Sequence, residues 1–309
     1  MDLVGRAFRI PLKHRFRGLR SREGLVLRGP HGWAEFSPFP DYPARLTARW
    51  WDATREALFE PWPPPLRSRI PVNVTVPAVG PEDAFRLVAS SACSTAKVKV
   101  GVGDDVARVE AVRDALGPSG RIRIDVNGGW DVDAAAQKIG ILDRFGLEYV
   151  EQPVATLEEM AGLRRLVDVP IAADESVRTA YDPVALDLRD AADVVVLKVA
   201  PLGGVRRALE VAEACGVPAV VSSALETSVG MAAEVALAAA LPALPYACGL
   251  GTVTLLAGDV TNEPLVPVDG AVDVRRPDVD DGALAPYEIA DARELWNRLE
   301  SASARTETR

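Results

Sequence analysis

The residues in this chain whose types and spacing could do chemistry together are Lys97, Lys99, Asp125, Asn127, Glu151, Asp174 and Lys198. Of the 35 basic residues only five are lysine: Lys13, Lys97, Lys99, Lys138 and Lys198. Arginine keeps its proton at any working pH, whereas a buried lysine can become a neutral base, so chemistry that needs a titrating amine must keep lysine. Three of the five lie in strand-like runs. Asp125, Glu151 and Asp174 follow one another at intervals of 26 and 23 residues. Brought to one point, they would make an oxygen-rich site suited to magnesium, which favours octahedral oxygen ligation and keeps positions open for water or substrate. Lys99 and Lys198 would flank it.

What must position these residues is a repeated unit. From about residue 70, short β-branched runs alternate with helical patterns, at 72–76, 96–100, 122–126, 147–151, 170–174, 193–198, 218–222 and, less clearly, 246–250. Their starts are 24, 26, 25, 23, 23, 25 and 28 residues apart. Eight near-equal strand-plus-helix units predict an α/β fold in which a parallel (β/α)₈ barrel closes on itself, since each parallel crossover needs its own helix. A doubly wound open sheet is the competitor, and it rarely repeats so evenly. Between the runs, 131–144 has a capping Asp and apolar residues at helical spacing, and 203–215 and 226–241 are similar. Residues 1–70 read differently, with strands around 3–11 and 23–36, a helical stretch from Pro43 to Phe59 and a proline-rich link from Pro61 to Pro71. We expect an α+β cap of residues 1–70 plus about 285–309, with a tail helix near 287–300, and a barrel of 71–284. The last residues, 301–309, are expected to fray.

Barrel active sites form at the C-terminal ends of the strands. The ends here are Lys97 and Lys99, Asp125 and Asn127, Glu151, Asp174 and Lys198, and alternation along a strand turns both members of each pair to one face. Taken singly, each has an ordinary explanation: among 44 acidic residues most are solvated surface groups, and a lone Lys-x-Lys is usually an exposed strand face. Three acids at successive strand ends beside two such lysines reverse that judgement. Gly203-Gly204 and Gly249-x-Gly251 lack the full spacing of a phosphate-binding loop and read as helix starts and turns. His14 and His31 both fall before the barrel, which argues against a histidine base.

Composition excludes several classes. The net charge is −9 and aromatics make up 6%, with no basic stripe, so nucleic acid is not an expected partner. No apolar run has the length of a membrane span, and Met1 to Arg20 lacks the apolar block of a secretion signal. Cys93, Cys215 and Cys248 are scattered, as reduced thiols would be. A cytoplasmic monomer or weak oligomer acting on a small carboxylate is the expectation.

Lys97-x-Lys99, Asp125-x-Asn127, Glu151-Gln152-Pro153, Asp174-Glu175-Ser176 and Lys198 closely resemble the muconate-cycloisomerase-like branch of the enolase superfamily, over residues 70 to 255 or so. Gly32 to Pro38, Ser222 to Ser228 and Gly249-Leu250-Gly251-Thr252 are most similar to the dehydratases of that branch. Its dipeptide epimerases usually carry an Asp-x-Asp where this chain has Gly249-Leu250-Gly251, which argues against a cationic amino-terminal substrate. The resemblance implies a capping domain built from both chain ends. It implies Mg²⁺, with Mn²⁺ as a substitute, on Asp125, Glu151 and Asp174. It implies Lys99 as base and Lys198 as the opposite catalytic group. Substrate contacts would come from Lys97, Asn127, Ser222, Ser223, Leu250 and Gly251. The implied reaction is syn dehydration of a succinyl-hydroxycyclohexadiene carboxylate in menaquinone biosynthesis. An N-succinylamino acid racemase or a cycloisomerase would use the same groups, and a catalytically silent metal-binding barrel is the alternative of another class.

Overall fold

The computed structural model describes residues 4–306. It begins with an antiparallel sheet in which β2 (Leu19–Gly29) lies between β1 (Val4–Phe16) and β3 (Gly32–Phe36). Two sequence expectations change here. The first strand runs on to Phe16, with position 3 outside the described residues, and the stretch 23–36 is two strands because the chain reverses at residues 30–31. The β1–β2 tip is a two-residue turn of Arg17 (φ 50°) and Gly18 (φ 77°), the double left-handed conformation that matches the twist of a hairpin. Behind the sheet packs α1 (Ala44–Phe59), whose Trp50 and Trp51 are buried with Phe36, Phe39 and Tyr42.

The second layer is a ring. Its elements are β4 (Arg69–Pro71), β5 (Val74–Val76), α2 (Pro81–Ala89), β6 (Thr95–Lys99), α3 (Asp105–Leu116), β7 (Arg121–Asp125), α4 (Val132–Leu142), β8 (Leu147–Glu151), α5 (Leu157–Leu163), β9 (Ile171–Ala173), α6 (Glu175–Arg178), β10 (Val194–Leu197), α7 (Val199–Leu202), α8 (Val205–Ala214), β11 (Ala219–Val221) and α9 (Ser228–Ala240). Strands β5 to β11 pair in chain order, all parallel. The run 246–250 does not become an eighth strand. It closes the ring through single bridges, Cys248 to Val72 and Gly249 to Ser222, with Asn73 N donating to Cys248 O and Gly249 N to Val221 O, at 2.9 and 2.8 Å. Pro245 and two glycines limit regular pairing there.

The strands are largely buried on both faces. β9 to β11 are unbroken runs of Ile, Val, Leu and Ala, as a covered parallel sheet favours, whereas β6 to β8 alternate apolar residues with others, of which Lys97, Arg123 and Tyr149 are buried too. The helices start where short polar side chains can take up free N–H groups: Asp104 accepts from Ala107 N at 3.0 Å, Asp131 from Ala134 N at 2.8 Å, and Thr156 forms a capping box with Glu159. After the ring, β12 (Ala271–Asp273) pairs antiparallel with β4, and α10 (Asp281–Leu284) leads to α11 (Arg293–Thr306). Fraying was expected from 301, but α11 continues to Thr306 because Leu295, Leu299 and Ala302 bury against the first layer; residues 307–309 lie outside the described part.

Candidate active site

Strand register lines up the reactive side chains at one rim of the ring. Lys99 stands opposite Asp125 and Asp125 opposite Glu151, while Asp174 and Lys198 directly follow β9 and β10. Lys97 Nζ lies 2.7 and 2.8 Å from the two Glu151 oxygens and 2.9 Å from Asp125 Oδ2. Lys99 Nζ donates to Asp125 Oδ2 and Asn127 Oδ1, each at 2.6 Å. Lys198 Nζ donates to Asp174 Oδ2 at 2.6 Å, and Arg178 Nε donates to the other Asp174 oxygen at 2.8 Å. With the run 246–250 as eighth stave, β6 is second and β10 sixth, so Lys99 and Lys198 approach the rim from opposite sides.

Two amides hold the acids in place. Asn127 sits at φ 53°, a left-handed conformation that Asn tolerates, so its Nδ2 reaches Glu175 Oε1 at 3.1 Å while its Oδ1 receives Lys99. Gln152, at φ 39°, accepts Asp174 N at 3.0 Å and Ser176 N at 3.2 Å on its Oε1. This pins the backbone that carries Asp174.

The electrostatics are those of tightly packed, buried charge. Burial opposes ionisation of Asp125, yet Lys97 and Lys99 outweigh it and hold the carboxyl far below the usual range. Burial would likewise lower Lys97, but Asp125 and Glu151 keep its ammonium well above normal. Burial and then the like charge of Asp125 push Glu151 up, to about 7, against the pull of Lys97. Its two short contacts to an ammonium are still those of an ionised carboxylate.

Among the described residues, no three acids, histidines or cysteines already form a metal-ready cluster. In the structure Lys97 bridges Asp125 and Glu151, and Lys198 with Arg178 engages Asp174. The residues nonetheless fit a hard cation. Their donors are all oxygen, and a cation already stands where two carboxylates converge. Moreover, Glu175 Oε2 beside them is buried without a hydrogen-bond partner.

Above the acids is a cavity of about 40 Å³ roofed by Phe16, Arg17 and Phe39 of the first layer. Lys97, Lys99, Asp125, Asn127, Lys198, Ser222 and Ser223 all line it. Leu250 and Gly251 do not; Leu250 is buried in the barrel core, and the neighbouring Thr252 reaches the cavity instead, 2.5 Å from Ser223 Oγ. Larger clefts of about 310 and 600 Å³ lie away from the lysines.

Residues 7–58 match the enolase N-terminal domain-like family and residues 81–279 the enolase C-terminal domain-like family. The o-succinylbenzoate synthase of Thermobifida fusca is 61% identical, over 96% of this chain and 98% of that protein. The chain belongs to the o-succinylbenzoate synthase family of the enolase superfamily. The Mycolicibacterium smegmatis member is 48% identical over 93% of this chain and 90% of its own. In fold, the chain is similar to the muconate lactonizing enzyme of Pseudomonas fluorescens, with TM-score 0.78, 22% identity and coverage of 93% and 98%.

For a chain of this family, the residues that sequence reasoning missed are the ones that close the site. Arg178 was legible in principle, four residues after Asp174 on a helical turn, but one arginine among so many gives no signal. Phe16 and Phe39 come from the first layer, and only the tertiary fold brings them over the lysines.

Proposed function

We propose that this chain dehydrates 2-succinyl-6-hydroxy-2,4-cyclohexadiene-1-carboxylate to o-succinylbenzoate, a step of menaquinone biosynthesis, as a hydro-lyase. The observation that carries the proposal is the lysine and acid set at one barrel rim in a chain 61% identical to an o-succinylbenzoate synthase. On this reading residues 1–70 with about 285–309 form the cap and 71–284 the barrel. It acts on a small carboxylate, with neither nucleic acid nor membrane, as a monomer or weak oligomer. Its three cysteines are free and buried, which suits a reducing compartment, and we place it in the cytoplasm.

In the mechanism Lys99, as the neutral amine, takes the proton next to the ring carboxylate, and the C–H electron pair moves onto that carboxylate, from which it returns into the ring as the C–O bond breaks. The protonated Lys99 returns that proton to the departing hydroxide on the same face, so water leaves and the ring becomes aromatic. Lys198, across the ring of strands, presents a cation to the opposite face of the developing negative charge. Lys97 contacts the substrate carboxylate, and Asn127 keeps Lys99 aimed through its 2.6 Å contact. Ser222 and Ser223 wall the cavity on the far side. Asp125, Glu151 and Asp174 would hold magnesium, or manganese in its place, which when bound supplies positive charge for the carboxylate oxygens as the proton leaves.

The test is a side-by-side assay of the purified protein with the cyclohexadiene acid and with an N-succinyl amino acid. Formation of o-succinylbenzoate supports the reading; racemisation without dehydration would overturn it in favour of a racemase.

A further inference from the structure

Helix α9 reads Ser-Val-Gly-Met-Ala-Ala-Glu-Val-Ala-Leu-Ala-Ala-Ala, and Glu234 is its one ionisable residue. Glu234 is fully buried. Burying a carboxylate among apolar groups is costly unless it makes hydrogen bonds that justify it. Glu234 Oε1 accepts Val199 N at 2.8 Å, while Oε2 is buried without a hydrogen-bond partner beside a cavity of about 20 Å³. Val199 is the residue directly after Lys198. At Lys198 the backbone leaves β10 in an extended conformation, φ −134° and ψ 120°, and turns at once into α7.

The far end of the same segment is held in the same way. Glu56, on α1, accepts Val205 N at 2.5 Å and Arg206 N at 3.2 Å. Between α7 and α8, Gly203 and Gly204 take φ of 102° and 132°, and a Cβ at Gly204 would lie 2.1 Å from Glu56 Oε2. The stretch from Lys198 to Arg206 is thus fastened by two buried glutamates, one from the barrel and one from the first layer. Only Glu234 acts next to the lysine.

We infer that Glu234 is a positioning residue for Lys198: by accepting the Val199 N–H its carboxyl group fixes the turn that aims the ammonium across the barrel mouth. The inference rests on the catalytic reading of Lys198 given above. A buried acceptor that only stabilised the fold would change stability without depending on what stands at 198. A positioning residue changes turnover, and only while Lys198 is there to be aimed.

The experiment is a double-mutant cycle with Glu234→Met, Glu234→Gln and Lys198→Ala, reading kcat and KM for dehydration. A misplaced catalytic group is expected to lower kcat about 10- to 100-fold in Glu234→Met, with KM little changed. Glu234→Gln keeps a carbonyl oxygen for Val199 N–H and should recover most of that loss. In the Lys198→Ala background Glu234→Met should add little. An equal loss in both backgrounds, or a Gln variant as slow as Met, overturns the inference while leaving Lys198's role intact. Lys198→Arg and Lys198→Ala both at wild-type rate would sink the catalytic reading and this inference with it. A crystal structure of Glu234→Met with the Lys198–Asp174 contact still at 2.6 Å also overturns the inference, whatever the rates.

Discussion

Lys97 and Glu151, 54 residues apart in the chain, meet head-on, with the ammonium in contact with both carboxylate oxygens at 2.7 and 2.8 Å. The same ammonium is 2.9 Å from Asp125, so one lysine holds the two acids that a divalent cation would need. A metal arriving there offers twice the charge to the same oxygens. We therefore expect magnesium or manganese to bind the folded protein and raise its melting temperature, by about 3 kcal/mol of stability at a hundredfold excess over Kd. Asp125→Ala, Glu151→Ala and Asp174→Ala should each abolish both that shift and dehydration. Full activity after exhaustive chelation would sink the metal assignment.

A second expectation concerns pH and lies away from the lysines. Glu35 is buried between the first layer and the barrel, with Ser37 Oγ donating to one oxygen at 2.5 Å and Thr227 N to the other at 3.0 Å. Burial outweighs these bonds and raises its carboxyl from 4.5 to about 7. The folded state then holds a proton that the unfolded chain has released. Stability from this group is complete below about 4.5 and is lost as pH rises through about 7, at most about 3 kcal/mol. Glu35→Gln cannot ionise, so between pH 5 and 8 wild type should lose stability relative to this variant in urea unfolding. Parallel curves for the two proteins would contradict the assignment.

Much of this site was legible because the barrel turns sequence spacing into geometry. Lys97, Lys99, Asp125, Glu151, Asp174 and Lys198 were readable from strand ends alone, since parallel strands in register bring equal positions to one rim. The 246–250 run was harder: it satisfies its backbone with single bridges to both neighbours and so lacks the alternation of a regular strand. Leu250 pointed into the core because a one-residue difference of phase there turns a side chain from cavity to packing. The lysine–acid pairing had no sequence signal at all, because it depends on which charges share a buried space and not on their order in the chain.

The closing bridge at Gly249 leaves no room for a side chain at that position. A Cβ on Gly249 would lie 2.5 Å from Ser222 Oγ and 3.1 Å from its Cβ, and Gly249 is buried. Gly249→Ala should therefore cost about 1–3 kcal/mol and slow dehydration by displacing Ser222 from the cavity wall. An unchanged melting temperature together with full turnover would show that the loop yields freely. The same crowding disfavours an acid at 249 that could hold a substrate amine.

Dehydration should accordingly exceed racemisation of N-succinyl amino acids by a wide margin in kcat/KM. Both reactions could draw on Lys99 and Lys198, so the difference must come from the cavity wall and the roof, not from the lysines. Comparable kcat/KM on the two substrates would reveal a bifunctional enzyme.

The two lysines on opposite sides of the ring allow the sharpest test, because the reactions ask different things of them. A syn elimination runs with one base on one face, whereas racemisation needs an acceptor on one face and a donor on the other. Lys99→Arg keeps the contact charge toward Asp125 and Asn127 but cannot accept a proton at neutral pH. It should lose dehydration by about 10²–10⁴-fold or more, the usual cost of losing a general base. Lys198→Arg keeps a cation beside Asp174 and should retain measurable dehydration, while exchange of the α-proton through the second face disappears. Deuterium exchange of an N-succinyl amino acid, followed by NMR beside the dehydration assay, reads both outcomes. A Lys99→Arg enzyme that dehydrates nearly as fast as wild type would mean that Lys99 is not the base, and the mechanism would have to be rebuilt around another group.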